Sequence, residues 1–140
     1  MDPQHENSLP ALSSAEELVR AGTPAGDAST GQLRAQLANA MVGLKNEHFG
    51  RGPVAAKAWL LDDYIFVAME GGLTRNEETL LAAGRADVVR SYRLTFQEAV
   101  AATTIEAVED ITGRKVANYH SQIVFEPTRA FEIFLLEPEG

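Results

Sequence analysis

Arg51 stands between Gly50 and Gly52, with Pro53 next in line, and this setting lets a planar guanidinium and unencumbered backbone N–H groups converge on one anion. The ligand for such a corner is a carboxylate, bicarbonate or phosphate. A plainer use of the same residues is structural: Gly50 ends a helix, Gly52-Pro53 starts an extended segment, and Arg51 pairs with an acid such as Glu47. Arg93 is the residue best placed to complete an anion pocket with Arg51. It lies one helical turn from Val89 and from Phe96, close to an apolar stripe, so it either joins the pocket or forms a salt bridge with Glu70 or Glu77. Arg85 and Arg90 precede it on what reads as a solvated helix face.

Other reactive residue types form no recognisable set. His120 falls between Asn118 and Gln122 on a polar strand face, while His5 and His48 have no spacing that recommends a shared metal. Asp62-Asp63 suits a tight turn, and Glu109-Asp110 are neighbours on a helix without an oxygen-ligand loop. No phosphate-binding Gly-Lys-Ser/Thr loop, His-Glu-x-x-His pair or nucleophile-elbow serine occurs. The expectation is a non-catalytic protein with no cofactor and no metal. Trp59, Tyr64 and Phe66 read as core or interface anchors.

The elements that position these residues follow from periodicity. Residues 1–29 carry Pro3, Pro10 and Pro24 among small, polar and acidic residues and read as a flexible acidic tail, with one short helix able to start at Ser13-Ser14-Ala15-Glu16-Glu17. Residues 30–138 form a single domain. Ser29-Thr30-Gly31-Gln32 has the form of a capping box ahead of Leu33, Leu37, Met41 and Leu44, which predicts a helix to about Glu47. Val54–Leu61 and Tyr64–Met69 flank Asp62-Asp63 as a β-hairpin. Thr74-Arg75-Asn76-Glu77 caps a short helix that Gly84 interrupts, and Val88, Tyr92, Phe96, Val100, Ala107 and Ile111 trace one long helix ended by Gly113. Residues 115–126 and 131–136 make a second hairpin around Pro127-Thr128-Arg129. The order α-β-β-α-α-β-β implies an α+β fold, a four-stranded, mainly antiparallel sheet packed on one face by two longer helices. The last strand is apolar on both faces, and a homodimer would bury the uncovered one.

The chain of 140 residues has a formal charge of −8, which disfavours nucleic acid as a partner. It has no cysteine, which removes disulfides and thiolate chemistry and fits a cytoplasmic location. The start lacks a basic-then-apolar leader, and no run reaches the ~18–20 apolar residues of a spanning helix, so direct membrane insertion is not expected.

From Gln32 to Leu136 the chain resembles a small bacterial family described as the Na+-translocating membrane-potential-generating system component MpsC, long catalogued as a domain of unknown function. The resemblance rests on Gly50-Arg51-Gly52-Pro53 after a helix, Leu73-Thr74-Arg75-Asn76-Glu77 with Leu80 after a hairpin, Arg93 in the long helix, and Thr112-Gly113-Arg114-Lys115-Val116 before the last hairpin. It implies a companion to a membrane ion-transport protein, peripheral to the membrane through that partner. It carries over no catalytic residues. The expected function is therefore an accessory or regulatory module acting through protein interaction, with a small-anion sensor built on Arg51, Gly50, Gly52 and Arg93 as the alternative.

Overall fold

The computed structural model describes residues 13–14 and 29–139. Helix α1 (Ser29–Phe49) begins at the expected serine and leads to strands β2 (Ala55–Leu61) and β3 (Tyr64–Glu70). Helices α2 (Arg75–Ala82), α3 (Ala86–Ala99) and α4 (Ala101–Thr112) follow, then β4 (Val116–Val124) and β5 (Arg129–Leu136). A two-residue strand β1 (Ser13–Ser14) pairs antiparallel with Ala55-Ala56 at the outer edge of β2. The rest of the expected tail lies outside the described residues. Ser13 and Ser14 are extended, so the helix start read at those two serines does not form there.

All pairings are antiparallel, in the order β1-β2-β3-β5-β4, so two hairpins are joined through their second strands β3 and β5. Alternation along these strands sends Ala56, Ala58, Ile65, Val67, Met69, Phe134 and Leu136 to one face. There they meet Leu37, Ala38 and Met41 of α1 and Val108 of α4 in the main core. The α+β class and the helix-covered sheet agree with the sequence reading.

The long helix is corrected to two. Val100 leaves helical geometry with φ −104° and ψ 11°, and it serves as the end of α3 and the start of α4. Tertiary packing explains the break. Val89 of α3 packs with Leu73 and Ile123 in a small second core, while Val108 of α4 joins the main one, and the bend at Val100 lets one apolar stripe serve both. Gly113 ends α4 in the left-handed region at φ +70°, as its position after the stripe predicts.

Candidate functional site

Three of the sequence segments singled out above meet in one corner. Gly50 adopts φ +76° and its N–H donates to the Asn46 carbonyl at 2.9 Å, which stops α1 and turns the chain toward β2. Gly72, after β3, lies against the Gly52-Pro53 backbone at φ +86°. A Cβ at Gly72 would come within 3.0 Å of the Pro53 nitrogen, so only glycine fits both the conformation and the approach. The Thr74 side chain accepts from the Glu77 N–H, and the Glu77 carboxylate accepts from the Thr74 N–H at 2.8 Å, completing the predicted capping box of α2.

Two arginines then hold this turn through its carbonyls. Arg93 is buried and donates through Nε to Glu77 at 2.6 Å, through Nη2 to the same carboxylate, and to the Gly72 carbonyl at 3.1 Å. Its guanidinium carbon sits 3.8 Å from the centre of the Phe49 ring. Of the two acids weighed for it, Glu77 is the partner. Burial alone would raise the Glu77 pKa, but hydrogen bonds from Arg93 and Thr74 hold it below the ordinary carboxylate value. Arg51 donates to the Leu73 carbonyl at 2.9 Å and faces Glu78 at 3.8 Å, with about half of its side chain exposed. Glu78, not Glu47, is thus its acidic neighbour.

Arg51 and Arg93 bind adjacent carbonyls of one turn, yet they stand differently toward solvent. Nε and Nη2 of Arg93 donate inside the fold, whereas the Arg51 guanidinium remains on the surface. Beside this corner a cavity of about 430 Å³ opens between α1, α2 and α3, lined by Phe49, Glu77, Leu80, Val89 and Tyr92 among others. Tyr92 is exposed, and its ring lies 5.9 Å from that of Phe96 and 6.3 Å from that of Phe49. Arg85 pairs with Asp87 on the surface, and Arg90 lies over the Phe125 ring, so the helical arginines do not gather into one basic patch.

A second constellation was not foreseen. Glu132 of β5 is fully buried and receives hydrogen bonds from Tyr119 and from Ser121 at 2.9 Å, while the Lys45 ammonium lies 3.2 Å away. Lys45 also donates to Gln97 at 2.7 Å, and the Gln97 amide donates to the Tyr119 oxygen at 2.7 Å, closing a ring across α1, α3, β4 and β5. Burial pushes Lys45 below its ordinary pKa and Arg93 adds to this, against the pull of Glu132. Burial and the Glu132 charge push the Tyr119 phenol above its ordinary range. The signal in the sequence was a single acid inside the apolar run Phe131-Glu132-Ile133-Phe134, and a lysine one turn beyond Met41 on the apolar stripe of α1. Lys45, Gln97, Tyr119 and Ser121 each donate to an acceptor within the ring, which ties the four elements together.

His120 lies on the opposite sheet face from Tyr119 and Ser121. Among the described residues no group of three or more His, Cys, Asp or Glu is placed to hold a metal ion, and no helix is long and apolar enough to cross a membrane.

Comparison with known proteins gives a family. Residues 29–138 match the model described as "Na+-translocating membrane potential-generating system (MpsC)". A Bacillus subtilis (strain 168) protein named "Uncharacterized protein YbcI" is 29% identical over 99 residues, which cover 68% of this chain and 77% of that protein. No solved structure matches.

Proposed function

Since the chain belongs to the MpsC family of the Na+-translocating membrane potential-generating system, we propose that it is a non-catalytic accessory or regulatory module of such a system, acting through protein contact. The observation that supports this reading is the corner at Gly50–Pro53. It is braced by the Arg93–Glu77 pair, presents Arg51 to solvent, and adjoins an apolar cavity edged by the exposed Tyr92. An exposed arginine on a braced turn, near an aromatic-lined cleft, suits an acidic or amphipathic segment of a membrane transport protein. Gly50 and Gly52 set the backbone there, and Arg93 holds the adjoining turn through Gly72 and Glu77. Partner binding would leave the fold unchanged and replace Glu78 as the neighbour of Arg51.

The test is capture from detergent-extracted membranes of the source cells with the full chain as bait. A multi-spanning ion-transport protein is expected on the wild type and lost on Arg51→Glu. Recovery of soluble enzymes alone, or equal capture by both baits, removes the proposal. The half-exposed Arg51 guanidinium also supports a second reading, an anion sensor for bicarbonate, carboxylate or phosphate. Calorimetry with these anions on the wild type and on Arg51→Ala separates the two, since a sensor loses heat of binding in the variant.

A further inference from the structure

Among the described residues nothing covers the face of the sheet turned away from the helices, and that face is apolar. Trp59 pairs across strands with Phe66, Phe66 with Ile133, and Ile133 with His120, while Phe131 stands between Ala68 and Gln122 one row away. Alternation directs this row opposite to Ala58, Val67, Phe134 and Tyr119, which meet the helices. Trp59, Phe66, Phe131, Ile133 and Leu135 are only partly buried although strands flank them, and Leu61 and Tyr64 at the hairpin end are exposed. None of these side chains belongs to either hydrophobic core cluster.

We propose that this face is covered by the same face of a second copy of the chain, giving a four-layer helix–sheet–sheet–helix dimer about a two-fold axis lying between the sheets. Charge supports a like partner. A chain of formal charge −8 carries, within the strands of this face, a single carboxylate, Glu70, and Arg129 lies 3.7 Å from it. Lys57, His120 and, at the hairpin end, the Tyr64 phenol are the other ionisable groups there, with the Lys57 ammonium 5.2 Å from the Trp59 ring centre. The other strand acid, Glu132, points to the helix side, so among the described residues two copies can approach here with Glu70 paired to Arg129 as the strands' one carboxylate on the face.

Size is consistent as well. Four strands about 4.8 Å apart and some seven residues long, at about 3.4 Å per residue, give a footprint of roughly 19 by 24 Å. That is roughly 460 Å² in plan per copy, about 900 Å² for the pair before side-chain relief is counted, near the about 1,000 Å² in total that a specific interface needs. The patch is apolar at its centre, on β3 and β5, and polar along β4 with Asn118, His120 and Gln122, the arrangement of an interface core and rim. This dimer is independent of the Arg51 corner, which is built from loops and helix ends.

Sedimentation of the full chain at micromolar concentration should give twice the 15.2 kDa chain mass. Ile133→Lys should weaken the dimer about a hundredfold or more, because each copy would bury an unpaired ammonium at its centre. Circular dichroism of the variant should match the wild type, since that side chain faces solvent in the monomer. If Ile133→Lys does not fold, a spin label provides the decision, because the wild type has no cysteine. Labels on exposed His120→Cys should lie closer between copies than labels on exposed Glu106→Cys of α4, as facing sheets are about 10 Å apart with helices outside them. A monomeric wild type, whether the face is then bare, protected by residues 1–28 in hydrogen exchange, or awaiting a transport protein, overturns the proposal. A dimer unaffected by Ile133→Lys, or one with the Glu106 labels closer, overturns it equally.

Discussion

Two ion pairs are buried among the described residues, and they differ in what they are fixed to. Arg93–Glu77 sits at the corner where α1, β3 and α2 meet, and its carboxylate is also the capping group of a helix. Lys45–Glu132 sits between sheet and helices, where its carboxylate also serves two hydroxyls. The guanidinium matches a carboxylate in two places and gives a third N–H, from Nη2, to the Gly72 carbonyl, so the corner is held by geometry. The ammonium has no such fork and relies on Gln97 and Glu132 together. The lesson is that the corner uses a fixed fork to hold backbone, whereas the core uses a network to hold four elements.

The largest expected effect breaks the network. Glu132→Ala strands the Lys45 ammonium and leaves Tyr119 and Ser121 without their acceptor, and should cost about 3–5 kcal/mol in denaturant unfolding. Next comes the corner. Gly72→Ala places a Cβ against Pro53 at positive φ and should cost about 2–3 kcal/mol by the same measurement. Arg93→Lys keeps the charge but loses the fork, for about 1–2 kcal/mol. Arg51→Ala should change stability by less than about 1 kcal/mol, because its ion pair is exposed, so any loss of partner capture in an Arg51 variant would report binding.

Titration sharpens the comparison, since the corner governs the acid side and the network the alkaline side. Glu77 has a lowered folded pKa, so its contribution is fully present above its unfolded value near 4.5 and is lost as pH falls through the folded pKa. Lys45 has a folded pKa below 10.5, so the unfolded chain holds more protons in that window and its term makes stability rise as pH approaches 10.5. Tyr119 acts oppositely, for its folded pKa lies above 10.0 and its term lowers stability as pH rises past that value. Chemical unfolding midpoints from pH 3 to 11 should show the acid loss diminished in Arg93→Lys, and the fall above pH 10 diminished in Tyr119→Phe.

The corner was largely legible from sequence because its signals are local. Glycines with positive φ, a capping box and an arginine beside an apolar stripe state their roles within a few residues, and Glu77 was among the partners read for Arg93. The ring around Glu132 was not read, because its members come from four elements separated by up to 87 positions, from Lys45 to Glu132. Each alone looks like an ordinary polar residue at the edge of an apolar pattern. The bend at Val100 was hidden for a related reason: the stripe is continuous in sequence, and only the need to serve two cores divides it.

By itself the sequence determined two hairpins, a helical cover and a glycine–arginine turn, since alternation, helical periodicity and left-handed glycines are properties of neighbouring residues. Tertiary structure alone decided that β3 and β5 join the hairpins, that Arg93 takes Glu77 and not Glu70 while Arg51 faces Glu78, and that a buried glutamate gathers a lysine, a tyrosine and a serine. Those outcomes depend on which groups lose water together, and desolvation is settled by the whole packed molecule and not by any segment of it.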